Sequence, residues 1–126
     1  MAAAQTTDFD DWLVRIFARI GSFTMLVVLV EISETSVALL RSSHVHVIGD
    51  ETRWPDMARM FESAAAAWNG AVFFHADRAG LITDAVARHR LGSLVQHLEK
   101  DRSIINDGEF FDMRGMRLKI EAIVAH

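Results

Sequence analysis

Two histidines separated by one residue, His44 and His46, are the sharpest chemical feature of the sequence. On a β-strand, residues two apart face the same side of the sheet, about 6.5–7 Å from each other. Two imidazoles so placed can chelate one zinc, iron or copper ion. A third ligand has to come from elsewhere, and His75 or Asp77 is the natural candidate. His44, His46 and His75 are therefore the candidate ligands of a transition metal, although two histidines at this spacing often occur by chance on the solvated polar face of a strand.

A second group of polar residues could bind a small ligand. Asp77 follows His75 by two residues at the end of a predicted strand, where it could orient the imidazole as a general base. Arg88 and Arg90 lie on the polar side of a predicted helix, and guanidinium groups bind anions well. The alternative for both pairs is a solvent-facing role, with charges balanced by neighbouring acids. The predicted ligand site therefore comprises His75, Asp77, Arg88 and Arg90.

Catalytic motifs are missing from the sequence. No Ser or Cys stands in a recognisable nucleophile motif, and no glycine-rich phosphate loop is present. The sequence therefore favours a non-enzyme over an enzyme. Its cofactor is unknown, with a transition metal as the specific possibility.

An apolar stripe near the N-terminus is a candidate interface. Phe9, Trp12 and Phe17 belong to a run with helical spacing over residues 8–20. Such a stripe could pack on the chain's own sheet or against a second copy. The interface prediction therefore rests on Phe9, Trp12 and Phe17, and it makes the chain a predicted homo-oligomer.

Length and composition bound the class of protein. The 126 residues carry a formal charge of −4, are 51% hydrophobic and include no cysteine. The length fits one domain, and the apolar content is too high for a disordered chain. The missing cysteines exclude disulfides and Cys-based zinc sites. The acidic balance argues against a nucleic-acid partner, because phosphate binding requires basic residues.

The chain also has no predicted membrane segment. Its longest apolar run, Met25 to Val30, is far shorter than the about 20 residues that a spanning helix needs. A signal peptide requires basic residues near its N-terminus, and no basic residue precedes Arg15. We expect no membrane partner and a cytoplasmic location. The excess of Arg over Lys is typical of GC-rich bacterial genomes.

The elements that must position these residues follow from periodicity and turn signals. We expect a single α+β domain over residues 1–126 with a disordered tail at 1–7. Its sheet is mixed but mostly antiparallel, with four to six strands and about three helices, mainly on one face, in the order α-β-β-(β)-α-β-α-β-β. Asp8 is the predicted N-cap of the first helix. The predicted elements are helix 8–20, strands 23–32, 37–41 and 44–48, helix 54–68, strand 71–75, helix 84–101, and a hairpin of 109–111 with 117–121.

On function, the sequence favours a small binding or regulatory module that acts through protein–protein contact, specifically self-association. The alternative is a small ligand- or metal-binding protein, or an enzyme, with a pocket lined by His44, His46 and His75.

Overall fold

The computed structural model describes residues 6–77 and 80–118 and shows an α+β fold around one open sheet. The four strands lie in the order β2-β1-β3-β4, and each pairs with its neighbours antiparallel. The predicted α+β class and the number of strands are confirmed. The elements are α1 (Asp8–Ile20), β1 (Phe23–Ile32), β2 (Val37–Val47), α2 (Trp54–Glu62), β3 (Gly70–His75), α3 (Asp84–Lys100), a short 3-10 helix (Arg102–Asp107) and β4 (Glu109–Asp112). No helix within these ranges is long and apolar enough to cross a membrane.

Helix α1 begins as predicted, but its N-cap is Thr7 rather than Asp8. The extended backbone of Thr7 lets its hydroxyl accept a hydrogen bond from the Asp10 N–H at 3.1 Å. The Asp10 carboxylate accepts in return from the Thr7 N–H at 3.2 Å, which completes a capping box. Asp8 instead accepts a hydrogen bond from the backbone N–H of Arg117 at 2.8 Å. Of the predicted disordered tail, residues 1–5 lie outside the described residues, while Thr7 has this defined structural role.

Strand β1 is interior and buried on both of its faces, as its unbroken apolar run predicts. Met25, Val27 and Leu29 join one core cluster, which α1 and α2 cover. Val28 and Val30 join a second cluster, which includes residues of α3 and the 3-10 helix. The prediction that the helices lie mainly on one face is therefore wrong. A sheet with two apolar faces has to be covered on both sides.

Strand β2 is one continuous strand of eleven residues rather than the two predicted strands. Ser42 and Ser43 pair with Val28 and Val27 of β1 within the ladder. The serines do not break the strand because β2 is an edge strand, where polar side chains can remain at least partly exposed. The register shifts once, between Leu29 and Val30 of β1.

Helix α2 ends at Glu62, six residues before the predicted end at Trp68. After it, Ala65 adopts a φ of 51°, outside the helical region. The early end allows Trp68 to pack edge-to-face on Phe61, with ring centroids 5.2 Å apart. High alanine propensity over 64–67 predicted a longer helix, and tertiary packing overrides that preference.

Two of the three predicted interface residues belong to the core. Phe9 is fully buried and Trp12 is 7% exposed, and both contact Phe73 of the sheet. Phe17 is partly buried and packs against the same cluster. Phe9 and Trp12 therefore cover the chain's own sheet and are not available to a second copy, whereas an interface role of Phe17 stays a prediction.

A tight turn follows β4, as predicted. The Asp112 carboxylate accepts hydrogen bonds from the N–H groups of Arg114 and Met116 at 2.8 and 3.1 Å. Gly115 has a φ of 80°, and a Cβ on it would lie 2.6 Å from the Trp54 ring, so only glycine fits there. Arg117 pairs with Phe111 in an isolated bridge, and the rest of the predicted second arm, from residue 119, lies outside the described residues.

Candidate metal centre

The site is built on the outer strand of the sheet, where β2 presents His44 and His46 on one face. These residues pair with Leu26 and Thr24 of β1, and the two imidazole centroids are 5.3 Å apart. This confirms the predicted strand geometry, in which residues two apart share a face. Both side chains are partly buried, 19% exposed for His44 and 30% for His46.

A short segment before α3 crosses β1 and brings a third residue to the two histidines. The Thr24 N–H donates to the Gly80 carbonyl at 3.3 Å, and the Ile82 N–H donates to the Thr24 hydroxyl at 3.1 Å. Thr83 then caps α3, its hydroxyl accepting from the Val86 N–H. These contacts place Asp84, the first residue of α3, over strand β2.

Asp84 binds both histidines through one carboxylate oxygen. Its Oδ1 lies 3.0 Å from Nε2 of His44 and 2.6 Å from Nε2 of His46. A carboxylate only accepts, so both Nε2 atoms carry the hydrogen in this arrangement. The hydrogen bonds from His46 and then His44 lower the pKa of the Asp84 carboxyl. Asp84 is therefore an anion with an exposed side chain, held against two imidazoles.

Thr24 determines how His46 is oriented. Its hydroxyl oxygen lies 2.8 Å from Nδ1 of His46 on the side opposite Asp84. With Nε2–H given to the carboxylate, neutral His46 accepts the Thr24 hydroxyl hydrogen at Nδ1. The same hydroxyl oxygen accepts from the Ile82 N–H, so it joins β1, β2 and the segment before α3.

The three side chains form the only group of potential metal ligands of this kind within the described residues. One donor atom from each of His44, His46 and Asp84 can be chosen so that all three lie within 4.8 Å of one another. In a tetrahedral zinc site with bonds of about 2.0–2.1 Å, donor atoms are about 3.3 Å apart. The two contacts with Asp84 Oδ1, at 3.0 and 2.6 Å, are shorter than this, so Asp84 would have to move outward slightly to admit an ion.

The hydrogen-bonded series Asp84–His46–Thr24 also resembles the nucleophilic triad of a hydrolase. A nucleophile has to be reached by its substrate, but Thr24 is only 1% exposed and its oxygen is engaged by Ile82. Thr24 therefore supports His46 rather than attacking a substrate.

His75 does not join this group, contrary to the predicted ligand set. Its ring lies 5.1 Å from that of Phe23 and 6.3 Å from that of Trp12, which belong to the core cluster on the opposite face of the sheet. The residue is exposed, and partial desolvation of the imidazole, the largest of the influences on it, lowers the pKa of His75. The predicted three-histidine pocket is corrected to two histidines and Asp84.

The predicted ligand site at His75, Asp77, Arg88 and Arg90 is only partly assembled. Arg90 donates to the Ala76 carbonyl at 2.9 Å and lies 3.7 Å from the Asp77 carboxylate, so it links α3 to the end of β3. Arg88 is exposed on α3. A cavity of about 360 Å³ lies instead between β2 and the end of α2, and none of these four residues lines it.

Asp84 is the candidate ligand that the sequence did not indicate. It lies 40 residues from His44 and 38 from His46, and no local spacing connects them. The one available signal was its position directly after a capping threonine, which identifies it as a first-turn residue but not as a ligand.

Comparison with known protein families, curated proteins and solved structures found no significant match to this chain.

Proposed function

We propose that this chain binds one divalent first-row transition-metal ion, with Zn²⁺ as the representative, through His44, His46 and Asp84. One observation carries the proposal: three donor groups of the right chemical types converge within 4.8 Å from two separate elements. Nε2 of each imidazole and one carboxylate oxygen would bind the ion. This is the metal-binding alternative of the sequence analysis with its third ligand replaced.

The donor set supports a transition metal over magnesium or calcium. Imidazole nitrogen suits zinc, copper, iron and nickel, whereas magnesium and calcium prefer oxygen ligands. Three protein ligands leave at least one coordination position open, which is typical of catalytic rather than structural zinc sites. Asp84 is 62% exposed, so solvent and small ligands have access to that position.

The surroundings support ligation in a second way. A metal-bound histidine usually donates its other ring N–H to a fixed acceptor, which orients the ring. When Nε2 of His46 binds the ion, its hydrogen moves to Nδ1, and the Thr24 hydroxyl 2.8 Å away accepts it. The same contact therefore suits both the free and the metal-bound imidazole.

Self-association remains a prediction without an assigned surface. Of the residues on which it was based, Phe9 and Trp12 are buried in the core and Phe17 is partly buried against it. The proposed function therefore depends on the metal site alone.

Calorimetric titration with zinc chloride after chelator treatment tests the proposal. We expect one ion per chain, and we expect His46→Ala and Asp84→Asn each to weaken binding by at least about tenfold, the lower end of the effect seen even for outer-shell partners. His89→Ala is the matched control, because it removes an exposed imidazole from α3 away from the ligand set.

Two results would contradict the proposal. One is the absence of zinc uptake by the folded wild-type chain, which would leave the His–Asp contacts as a structural link between β2 and α3. The other is an equal loss of affinity in His46→Ala and His89→Ala, which would show nonspecific binding by surface histidines. Circular dichroism of each variant establishes that it is folded.

A further inference from the structure

We infer that the metal-loaded site binds a small oxyanion, with one anion oxygen on the ion and another on the guanidinium of Arg88. This inference rests on the proposed function and names the ligand class of the same site. The shared chemistry is an oxygen anion that can bridge a cation and a planar donor, as a carboxylate or a phosphate does.

The position of Arg88 follows from helix geometry. Arg88 is four residues after Asp84 in α3, so the two residues are neighbours on one helix face, with Cβ atoms about 5–6 Å apart. Side chains on a helix point back toward its N-terminus and cover the preceding turn. The side chain of Arg88 is therefore long enough, and on the right helix face, to reach the turn that carries Asp84.

Arg88 is also uncommitted, unlike nearby arginines. Within the described part of the chain it makes no ion pair or hydrogen bond, and its side chain is exposed. Arg90 is tied to Ala76 and Asp77, and Arg102 donates to the carbonyls of Val37 and Leu98. No ion pair forms between Arg88 and Asp84, whose Oδ1 contacts the two histidines.

Charge favours an anion once the ion is bound. A divalent ion with two neutral imidazoles and one carboxylate carries a net charge of +1, and Arg88 adds another. The N-terminus of α3, a helix of 17 residues, contributes the positive end of its dipole at the same place. An oxyanion at the open coordination position therefore meets three sources of positive potential, and binding requires no bond to be broken.

Cobalt(II) is the probe for the test, since its visible absorption reports directly on its coordination. The wild-type chain is loaded with Co²⁺, its metal content is measured, and sodium acetate or inorganic phosphate is titrated in separate arms. We expect a saturable change of the spectrum in at least one arm. Acetate alone would assign a carboxylate ligand, phosphate alone a phosphate ligand, and both a general oxyanion site.

Two variants show whether Arg88 is the second contact. We expect Arg88→Gln to weaken anion binding by about tenfold, as the loss of charge-assisted hydrogen bonds predicts. Lys100→Gln removes the same charge from the far end of α3 and should leave the anion titration unchanged. Metal content is measured in every sample, so that a loss of metal is distinguished from a loss of anion.

The outcomes separate this inference from the proposed function. If Co²⁺ binds but neither anion alters its spectrum, the inference is overturned and the metal site stands. Equal weakening by Arg88→Gln and Lys100→Gln overturns it as well, because the effect is then only general charge. If the wild-type chain takes up no Co²⁺, both proposals fail.

Discussion

Thr24 is the residue on which the organisation of the site depends most. It is buried, and its one hydroxyl contacts both Nδ1 of His46 and the N–H of Ile82. This single oxygen joins the strand pair β1–β2 to the segment that leads into α3. A change at Thr24 therefore affects both the folded state and the candidate ligands.

Replacing Thr24 by valine, which has nearly the same shape but no hydroxyl, should lower both the stability of the fold and the affinity for zinc. The Ile82 N–H and His46 Nδ1 lose their partner, so we expect a loss of about 1–3 kcal/mol in the free energy of unfolding. Zinc affinity should fall by about 10–100-fold, as for other outer-shell partners. Denaturant unfolding and zinc calorimetry measure the two effects.

Thr24→Ser is the control, since it keeps the hydroxyl and should retain most of the zinc affinity. If serine and valine weaken zinc binding equally, then the methyl group rather than the hydroxyl is what the site requires, and the orienting role is wrong.

At the level of residues, the sequence predicted part of the site. The spacing of His44 and His46 was sufficient to predict that their side chains share one face of the sheet, because a strand has a fixed two-residue period. The prediction of His75 as the third ligand was wrong. The sheet face that His75 occupies depends on the register between β1 and β3, and this register pairs His75 with Met25 on the opposite face. Asp84 was missed because its approach to β2 depends on the crossing at Thr24, a tertiary contact with no local signal.

At the level of elements, a buried carboxylate joins the starts of two helices. Asp10 of α1 is 6% exposed, and its Oδ1 accepts the backbone N–H of Trp54, the first residue of α2, at 2.7 Å. Its other oxygen accepts the Thr7 N–H in the capping box. Asp10 therefore caps its own helix and satisfies a buried donor at the N-terminus of another.

We expect Asp10→Ala to lower the free energy of unfolding by about 2–4 kcal/mol. The substitution removes a capping interaction worth about 1 kcal/mol and leaves the Trp54 N–H buried without its charged acceptor. Asp11→Ala, an exposed change in the same helical turn, should cost about 1 kcal/mol or less. Urea denaturation of both variants measures the difference, and similar losses would show that Asp10 acts only through the helix dipole.

Elements with strong periodicity were predicted closely. Helix α1 and strand β1 have the predicted bounds, and α3 differs by one residue at its end. Helix α2 was predicted too long because its alanine run has a high helix propensity. The chain turns instead, and this turn allows Trp68 to pack on Phe61. Strand β2 was divided in two because an edge position, which tolerates Ser42 and Ser43, cannot be read from local sequence.

At the level of the whole molecule, the sheet is covered by helices on both faces. Strand β1 contributes buried side chains to both core clusters, which is why its sequence lacks the alternation of a half-exposed strand. The same pattern indicates helical layers on both faces, because a strand that is buried on both sides has to be covered on both.

His75 should make the stability of the whole chain depend on pH. Partial desolvation lowers its pKa below the usual 6.5 of the unfolded chain although the residue is exposed, so below that pH the unfolded chain binds somewhat more protons than the folded one. Its contribution is fully present above pH 6.5 and declines as the pH falls toward the lowered folded-state pKa. We expect the wild-type chain to melt at a lower temperature at about pH 5.5 than at about pH 8.

His75→Gln is the comparison, because glutamine cannot be protonated in this range. The variant should show a smaller drop in melting temperature over the same interval. An identical drop in both proteins would assign the pH dependence to other groups.

The crossing of the segment before α3 over β1 has a consequence for chain entropy. His44 and His46 stay adjacent when the chain unfolds, but Asp84, 38 to 40 residues away, does not. An ion held by all three would act as a reversible cross-link that closes a loop of about 40 residues only in the folded state. Because the histidine pair can retain some affinity after unfolding, the stabilisation by metal would be smaller than the binding free energy of the complete site.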